Sequence, residues 1–225
     1  MINSNIREPV FAGRFYEGNS ARLKNQLNQL FDDAGKIDFW GDVSGNSLQA
    51  LIVPHAGYVF SGKIAASAYH FLNREKKYKR IFILASSHRY SFNGVAVYDI
   101  GNYSSPLGEI KTDTLLATEL AEKSPLFFVH PEAHEAEHSI EVQLPFLQYV
   151  LGDDFTLVPL VIGTHNPATC HEIAEILKTW FTPENLFVIS TDFSHYPNYS
   201  DACETDKKTA DAICSNLPEK LVSTI

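Results

Sequence analysis

The sequence is poor in cysteine. Its 225 residues include only Cys170, Cys203 and Cys214, an odd number without CxxC spacing. This speaks against a disulfide framework and fits a reducing compartment. All three fall in predicted helices, where each is expected to act as a small buried hydrophobe. Long apolar runs are also missing, and none approaches the roughly 20 residues that span a bilayer. Residues 1–10 (MINSNIREPV) lack the apolar core of a signal peptide. These absences predict a soluble, cytoplasmic protein with no membrane partner. Basic residues are scarce as well. Eighteen Lys and Arg against 27 Asp and Glu give a formal net charge of −9. Phosphate contacts need clustered cations, so nucleic acid is not the expected partner. The one dense basic run, residues 74–80 (REKKYKR), reads as a solvated loop before a strand. Gly57 and Gly62 form neither a GxGxxG nor a Walker loop, so nothing points to a nucleotide.

What remains is ordinary globular material, 44% hydrophobic and 20% charged. At this length roughly 70% of the unfolded surface can be buried. Residues 50–53 (ALIV) have the length and branching of a buried parallel strand. Pro54 ends that strand and His55 follows it. Gly57 and Gly62 suit a tight loop ahead of a small-residue helix around 65–68. Two further apolar strands repeat the device: 80–88 (RIFILASSH) ends in His88, and 186–195 (LFVISTDFSH) ends in Asp192 and His195. Open α/β domains place their sites outside the strand carboxyl ends.

Elsewhere, residues 7–18 read as an ordered loop. Its Arg7 and Arg14 either line an anion pocket or belong to an arm packed over the domain. Ser20 is the expected cap of a helix carrying Leu23, Leu27, Leu30 and Phe31. Residues 32–46 read as a surface connection, 94–98 as a strand, 102–108 as a loop, and Asp113 as a helix cap. Pro145, inside an apolar helical run at 139–151, either kinks the helix or marks a later start. Pro159 suggests that the strand at 156–163 lies at an edge or carries a bulge. Strands alternate with helices and no linker is visible. The expected fold is α/β, a single domain over residues 1–225 with a central, largely parallel or mixed sheet flanked by helices.

Histidines that end separate buried strands suggest a metal site, because neutral imidazole is the commonest metal ligand and strand ends are rigid. His55 and His88 are the candidate ligands. Asp192 either ligates directly or orients His195. His134 and His138 spell H-E-x-x-H, but a proline and polar residues flank the motif where a zincin has an amphipathic helix. His138 is instead a candidate polar or acid/base group, with Glu137 beside it; a capping or surface role is the alternative. Ser86, Ser87 and Ser194 neighbour histidines without a GxSxG elbow, so a serine nucleophile is not expected.

PHAGY at 54–58, SSH at 86–88, EHSIEVQLP at 137–145 and STDFSH at 190–195 together resemble the Memo family, called AmmeMemoRadiSam system protein B in bacteria and archaea. REPVFAGRFY at 7–16 is similar to that family's N-terminal segment. The family is similar in fold to LigB-like class III extradiol dioxygenases. The resemblance implies that His55 and His88 are metal ligands, that Asp192 and His195 line the same pocket, and that the cofactor is iron or copper. The family's third ligand is a cysteine in a C-terminal Cys-Gly segment. No cysteine here stands in that context, so the chain is expected to lack its C-terminal segment. Two functions follow as expectations. One is a metal-dependent redox or oxygenase-like enzyme, in which His195, held by Asp192, moves protons and His138 assists. The other is a binding module that uses a vestigial pocket for a peptide, an anion or a metal ion.

Overall fold

The computed structural model describes residues 5–36 and 48–224, so most of the connection expected at 32–46 lies outside the described residues. The chain divides into two compact units, one ending at Thr191 and the other starting at Asp192. No helix among the described residues is long and apolar enough to cross a membrane.

The first unit begins with β1 (Asn5–Arg7), α1 (Ser20–Ala34), β2 (Ala50–Val53), α2 (Tyr58–Tyr69) and β3 (Arg80–Ser86). Next come β4 (Val95–Val97), β5 (Gly101–Ser105), β6 (Gly108–Ile110), α3 (Thr114–Lys123) and β7 (Phe127–Val129). It closes with α4 (Glu132–Glu135), α5 (His138–Glu141), α6 (Leu144–Leu151), β8 (Thr156–Ile162), α7 (Pro167–Leu177) and β9 (Asn185–Ser190). The second unit contains α8 (Tyr199–Cys214) and α9 (Pro218–Thr224).

A six-stranded sheet of order β2-β9-β3-β8-β4-β7 forms the centre, and a three-stranded sheet, β1-β5-β6, accompanies it. The large sheet is mixed. β2, β9, β3 and β8 run parallel, β4 runs antiparallel to β8, and β7 runs parallel to β4. Side chains alternate between its two faces, which builds two cores. On one face Ile81, Ile83, Leu157, Val161 and Val188 pack with Leu23 and Leu27 of α1, Ala65 and Ala66 of α2, and Phe146 of α6. On the other, Phe82, Val158, Leu160 and Phe187 pack with Leu116 and Leu120 of α3 and Ile173 and Leu177 of α7. Phe82 and Phe187 stack at 4.5 Å. Each fully buried Val, Leu, Ile or Phe among them contributes about 1.5–3 kcal/mol.

Several expectations need correcting. The cap of α1 is Asn19, whose extended backbone lets its side chain accept from Arg22 N–H, while Ser20 is already helical. Gly62 lies inside α2 rather than in a loop, and its lack of a side chain leaves room for Leu30 of α1, which a Cβ there would approach to 2.9 Å. The polar stretch at 102–108 is not a loop but contributes to a hairpin, β5 and β6, with Gly108 at φ +145°. Pairing of β5 with β1 and burial of Tyr103 override its weak strand propensity. Pro159 sits in an interior strand, not at an edge. The β8 edge facing away from β3 pairs with residues 111–113 at Leu157 and with β4 from Leu160 onward. The N–H that proline lacks would point at the gap between these two partners. Pro145 falls in the first turn of α6, the later start. All three cysteines lie in helices but are exposed rather than buried.

The stretch that begins at Arg7 is an arm anchored by a buried carboxylate. Glu141 accepts from Arg7 Nη1, from the main-chain N–H groups of Val10 (3.1 Å) and Phe11 (2.7 Å), and from the Tyr16 hydroxyl (2.7 Å). Both charged side chains are almost fully buried. Removing one partner of such a pair leaves an uncompensated charge. Arg7→Met is therefore expected to lower unfolding stability by about 3–5 kcal/mol in urea titrations. A loss below ~1 kcal/mol would show that the arm is not held this way.

Candidate metal centre

The site grows from the parallel part of the sheet. β9 lies between β2 and β3, and in this register Ser190 is level with Val53 and Ala85. The strands that deliver His55 and His88 therefore end side by side, with the small Ser190 between them. His55 follows Pro54 and is buried. His88 follows the end of β3, where Ser87 N–H still bonds Ile162 O at 2.8 Å. His138 is the first residue of α5, a short helix capped by Glu137.

Glu137 organises the centre. One carboxylate oxygen accepts from the His88 main-chain N–H at 2.8 Å, and the other lies 2.8 Å from His88 Nδ1. The second oxygen also takes the Ser139 hydroxyl at 2.8 Å and lies 3.4 Å from His138 Nδ1. Burial pushes the Glu137 carboxyl up, but the hydrogen bonds from His88 and Ser139 outweigh it and hold its pKa down at about 2. An ionised carboxylate only accepts, so the His88 Nδ1 carries the proton and its ligating lone pair is on Nε2.

The three rings converge. His55 lies 5.1 Å from His88 and 5.3 Å from His138, and His88 lies 4.3 Å from His138, between ring centroids. One nitrogen from each ring can be chosen so that all three lie within 4.8 Å of one another. Burial is graded from His55, which is buried, through His138 to His88, which is exposed. Phe11 and Phe15 of the arm stand against His138 at 5.6 and 5.0 Å. Three imidazoles backed by a carboxylate could hold a transition-metal ion.

The structure thus brings His138 together with the two expected ligands. Asp192 and His195 open the second unit, where His195 Nε2 lies 3.8 Å from Asp192 Oδ2. Of the N-terminal arginines, Arg7 is spent on Glu141 and on the carbonyls of His134 and Glu137, while Arg14 is exposed. Sequence reasoning missed Ser190, Gln143 and Glu141 as parts of this architecture. A signal was present: Glu141 and Gln143 are polar residues interleaved with Ile140, Val142 and Leu144, all of which are buried.

His134 takes no part in the cluster. The helix breaks at Ala136 and Glu137, so the two histidines of the H-E-x-x-H string do not share a helical face. The His134 ring is fully buried, with Nδ1 2.8 Å from the Tyr103 hydroxyl and Nε2 3.1 Å from Ala96 O. The carbonyl can only accept, so the ring is the Nε2–H tautomer and Tyr103 donates to Nδ1. Desolvation holds its pKa down at about 3.

Comparison with known proteins now decides the family. The profile described as Memo-like protein matches residues 7–225. The chain belongs to the Memo family. A MEMO1 family protein of Sulfolobus acidocaldarius is 36% identical over 217 residues, covering 92% of this chain and 76% of the relative. One from Sulfurisphaera tokodaii is 35% identical over 218 residues, with 93% and 77% covered. One from Desulfurococcus amylolyticus is 33% identical over 213 residues, with 92% and 75% covered.

The His134 environment in this Memo-family chain predicts an acid sensitivity. Its pKa falls from 6.5 to about 3 on folding. Between those values the unfolded chain binds a proton that the folded chain does not. The stabilisation is complete above pH 6.5 and is lost as pH falls toward 3, by up to about 1.4 kcal/mol per pH unit. His134→Gln is expected to flatten the dependence of unfolding free energy on pH by close to one proton between these limits. An unchanged slope in the variant would assign the acid sensitivity to other groups.

Proposed function

We propose that this chain is a metal-binding redox protein of the oxygenase-like kind, with iron or copper held by His55, His88 and His138. The observation that carries the reading is the convergence of three imidazole nitrogens within 4.8 Å beside the carboxyl ends of parallel strands. A bound iron or copper ion would supply one-electron redox chemistry and coordination positions for further ligands. The protein's own share is to fix the rings. Glu137 orients His88 and steadies His138, and the aromatic arm walls one side. His138, expected from sequence to be an acid/base group, becomes a ligand in this reading. His195, held by Asp192, keeps the proton-moving role expected of it in a metal-dependent enzyme.

The test is metal content by mass spectrometry on anaerobically purified protein, followed by oxygen uptake. Stoichiometric iron or copper is expected, and it should be lost in His55→Ala, His88→Ala and His138→Ala but kept in Cys170→Ala. His195→Ala should keep metal and lose turnover. Full metal content in all three ligand variants would remove the assignment. Metal retained without any oxygen uptake would favour the binding module instead.

A further inference from the structure

Behind His55 lies a buried polar chain that the metal reading does not use. Ser190 Oγ is 2.6 Å from the Ser139 carbonyl oxygen, 2.9 Å from Gln143 Nε2 and 3.1 Å from His55 Nδ1. Gln143 Nε2 also donates to Pro54 O at 3.0 Å, and Gln143 Oε1 accepts from the Tyr69 hydroxyl at 3.0 Å. Tyr69 and Gln143 are fully buried, and Ser190 and His55 are 1% and 3% exposed.

Counting protons fixes the direction of every bond. A carbonyl cannot donate, so the single hydroxyl hydrogen of Ser190 goes to Ser139 O. The Gln143 amide is oriented by Pro54 O, which demands a donor, so its N–H₂ also faces Ser190. With its hydrogen spent and one lone pair filled, Ser190 can only accept from His55. The His55 Nδ1 must therefore carry the proton.

We propose that Ser190 is a positioning residue that locks His55 as the Nδ1–H tautomer and so keeps its ligating lone pair on Nε2, with Gln143 and Tyr69 holding Ser190 in place. An unrestrained neutral imidazole samples both tautomers, and only one of them has its lone pair on Nε2. Gln143 contributes twice, because it also ties down the carbonyl of Pro54, the residue before His55. The two ligands on strand ends are then fixed by different means: His88 by an anion, Glu137, and His55 by a neutral hydroxyl whose proton is committed elsewhere. The inference rests on His55 being a ligand, but its first readout does not need the metal.

That readout is long-range ¹H–¹⁵N correlation on metal-free, histidine-labelled protein at a pH where imidazoles are neutral. His55 is expected to show a protonated Nδ1 and an unprotonated Nε2. An Nε2–H tautomer in the unaltered protein overturns the proposal whatever the variants do. Ser190→Ala, with its fold checked by circular dichroism, is expected to give mixed tautomers and affinity for Fe(II) or Cu(I) lower by about 10- to 100-fold. Ser190→Thr, which keeps the hydroxyl, should restore both. If Ser190→Ala folds with an unchanged tautomer and unchanged affinity, Ser190 has no positioning role. If the unaltered chain binds neither metal but His55 is the Nδ1–H tautomer, the tautomer lock stands and the metal reading fails.

Discussion

The buried carboxylate of Glu141 is the constraint on which the rest of this site depends. Desolvating a carboxylate and a guanidinium costs several kcal/mol per ion, and the pair is tolerable only when the remaining hydrogen-bond capacity is filled. Here it is filled twice over. Glu141 gathers two main-chain N–H groups and the Tyr16 hydroxyl besides Arg7. Arg7 spends its other donors on the carbonyls of His134 and Glu137. The same pair therefore closes the arm over the first unit and holds the corner at 134–137, where α4 gives way to α5. That corner presents His138 and Glu137. An electrostatic anchor outside the cluster thus sets where one candidate ligand and its supporting carboxylate stand.

The sheet supplies the rest by a different logic. Parallel strands ending in one row can offer side chains only at strand spacing, and β9 separates β2 from β3 by about 10 Å. The loops after β2 and β3 turn inward until the rings of His55 and His88 are 5.1 Å apart. Closure over β9 is possible because the residue level with both strand ends is a serine, which leaves room and offers a hydrogen-bonding oxygen. The third imidazole of the cluster arrives from α5. The candidate centre is thus built jointly by the sheet's carboxyl edge and the arm-anchored corner.

Much of this was legible in sequence, and the reason is locality. The run ALIV at 50–53 coincides with β2, and the apolar content of 80–86 and 156–162 coincides with β3 and β8, because buried parallel strands need continuous apolar residues. His55 and His88 were readable because each directly follows such a run. What was not legible depends on distant partners. The hairpin around Gly108 is polar and exists because β1 pairs with it. Gly62 reads as a loop residue until Leu30 of α1 is placed against it. Pro159 looks like an edge residue until the gap beside it is located. The cysteines illustrate the limit of residue averages: the type is usually buried, yet α7 and α8 turn all three of theirs outward. Ser190, Gln143 and Glu141 stand inside recognisable stretches, but their roles exist only as bonds across 47 to 135 residues of chain.

His134 and His138 show why residue type and spacing alone mislead. They are four apart in a string that matches a zinc-protease pattern, yet they answer different demands. His134 commits both ring nitrogens to fixed protein partners, one accepting and one donating, at a place where water is excluded. A ring satisfied in that way gains nothing from a metal and would lose two hydrogen bonds by turning toward one. His55 and His88 are steadied at Nδ1, by a hydroxyl and a carboxylate respectively, and they come together with His138 at distances that a shared ion could bridge. The discriminating observation is how each ring's nitrogens are used. In this chain that use is decided by oxygens that the H-E-x-x-H spacing does not reveal: the Tyr103 hydroxyl and Ala96 carbonyl for His134, and Ser190 and Glu137 for the strand-end pair.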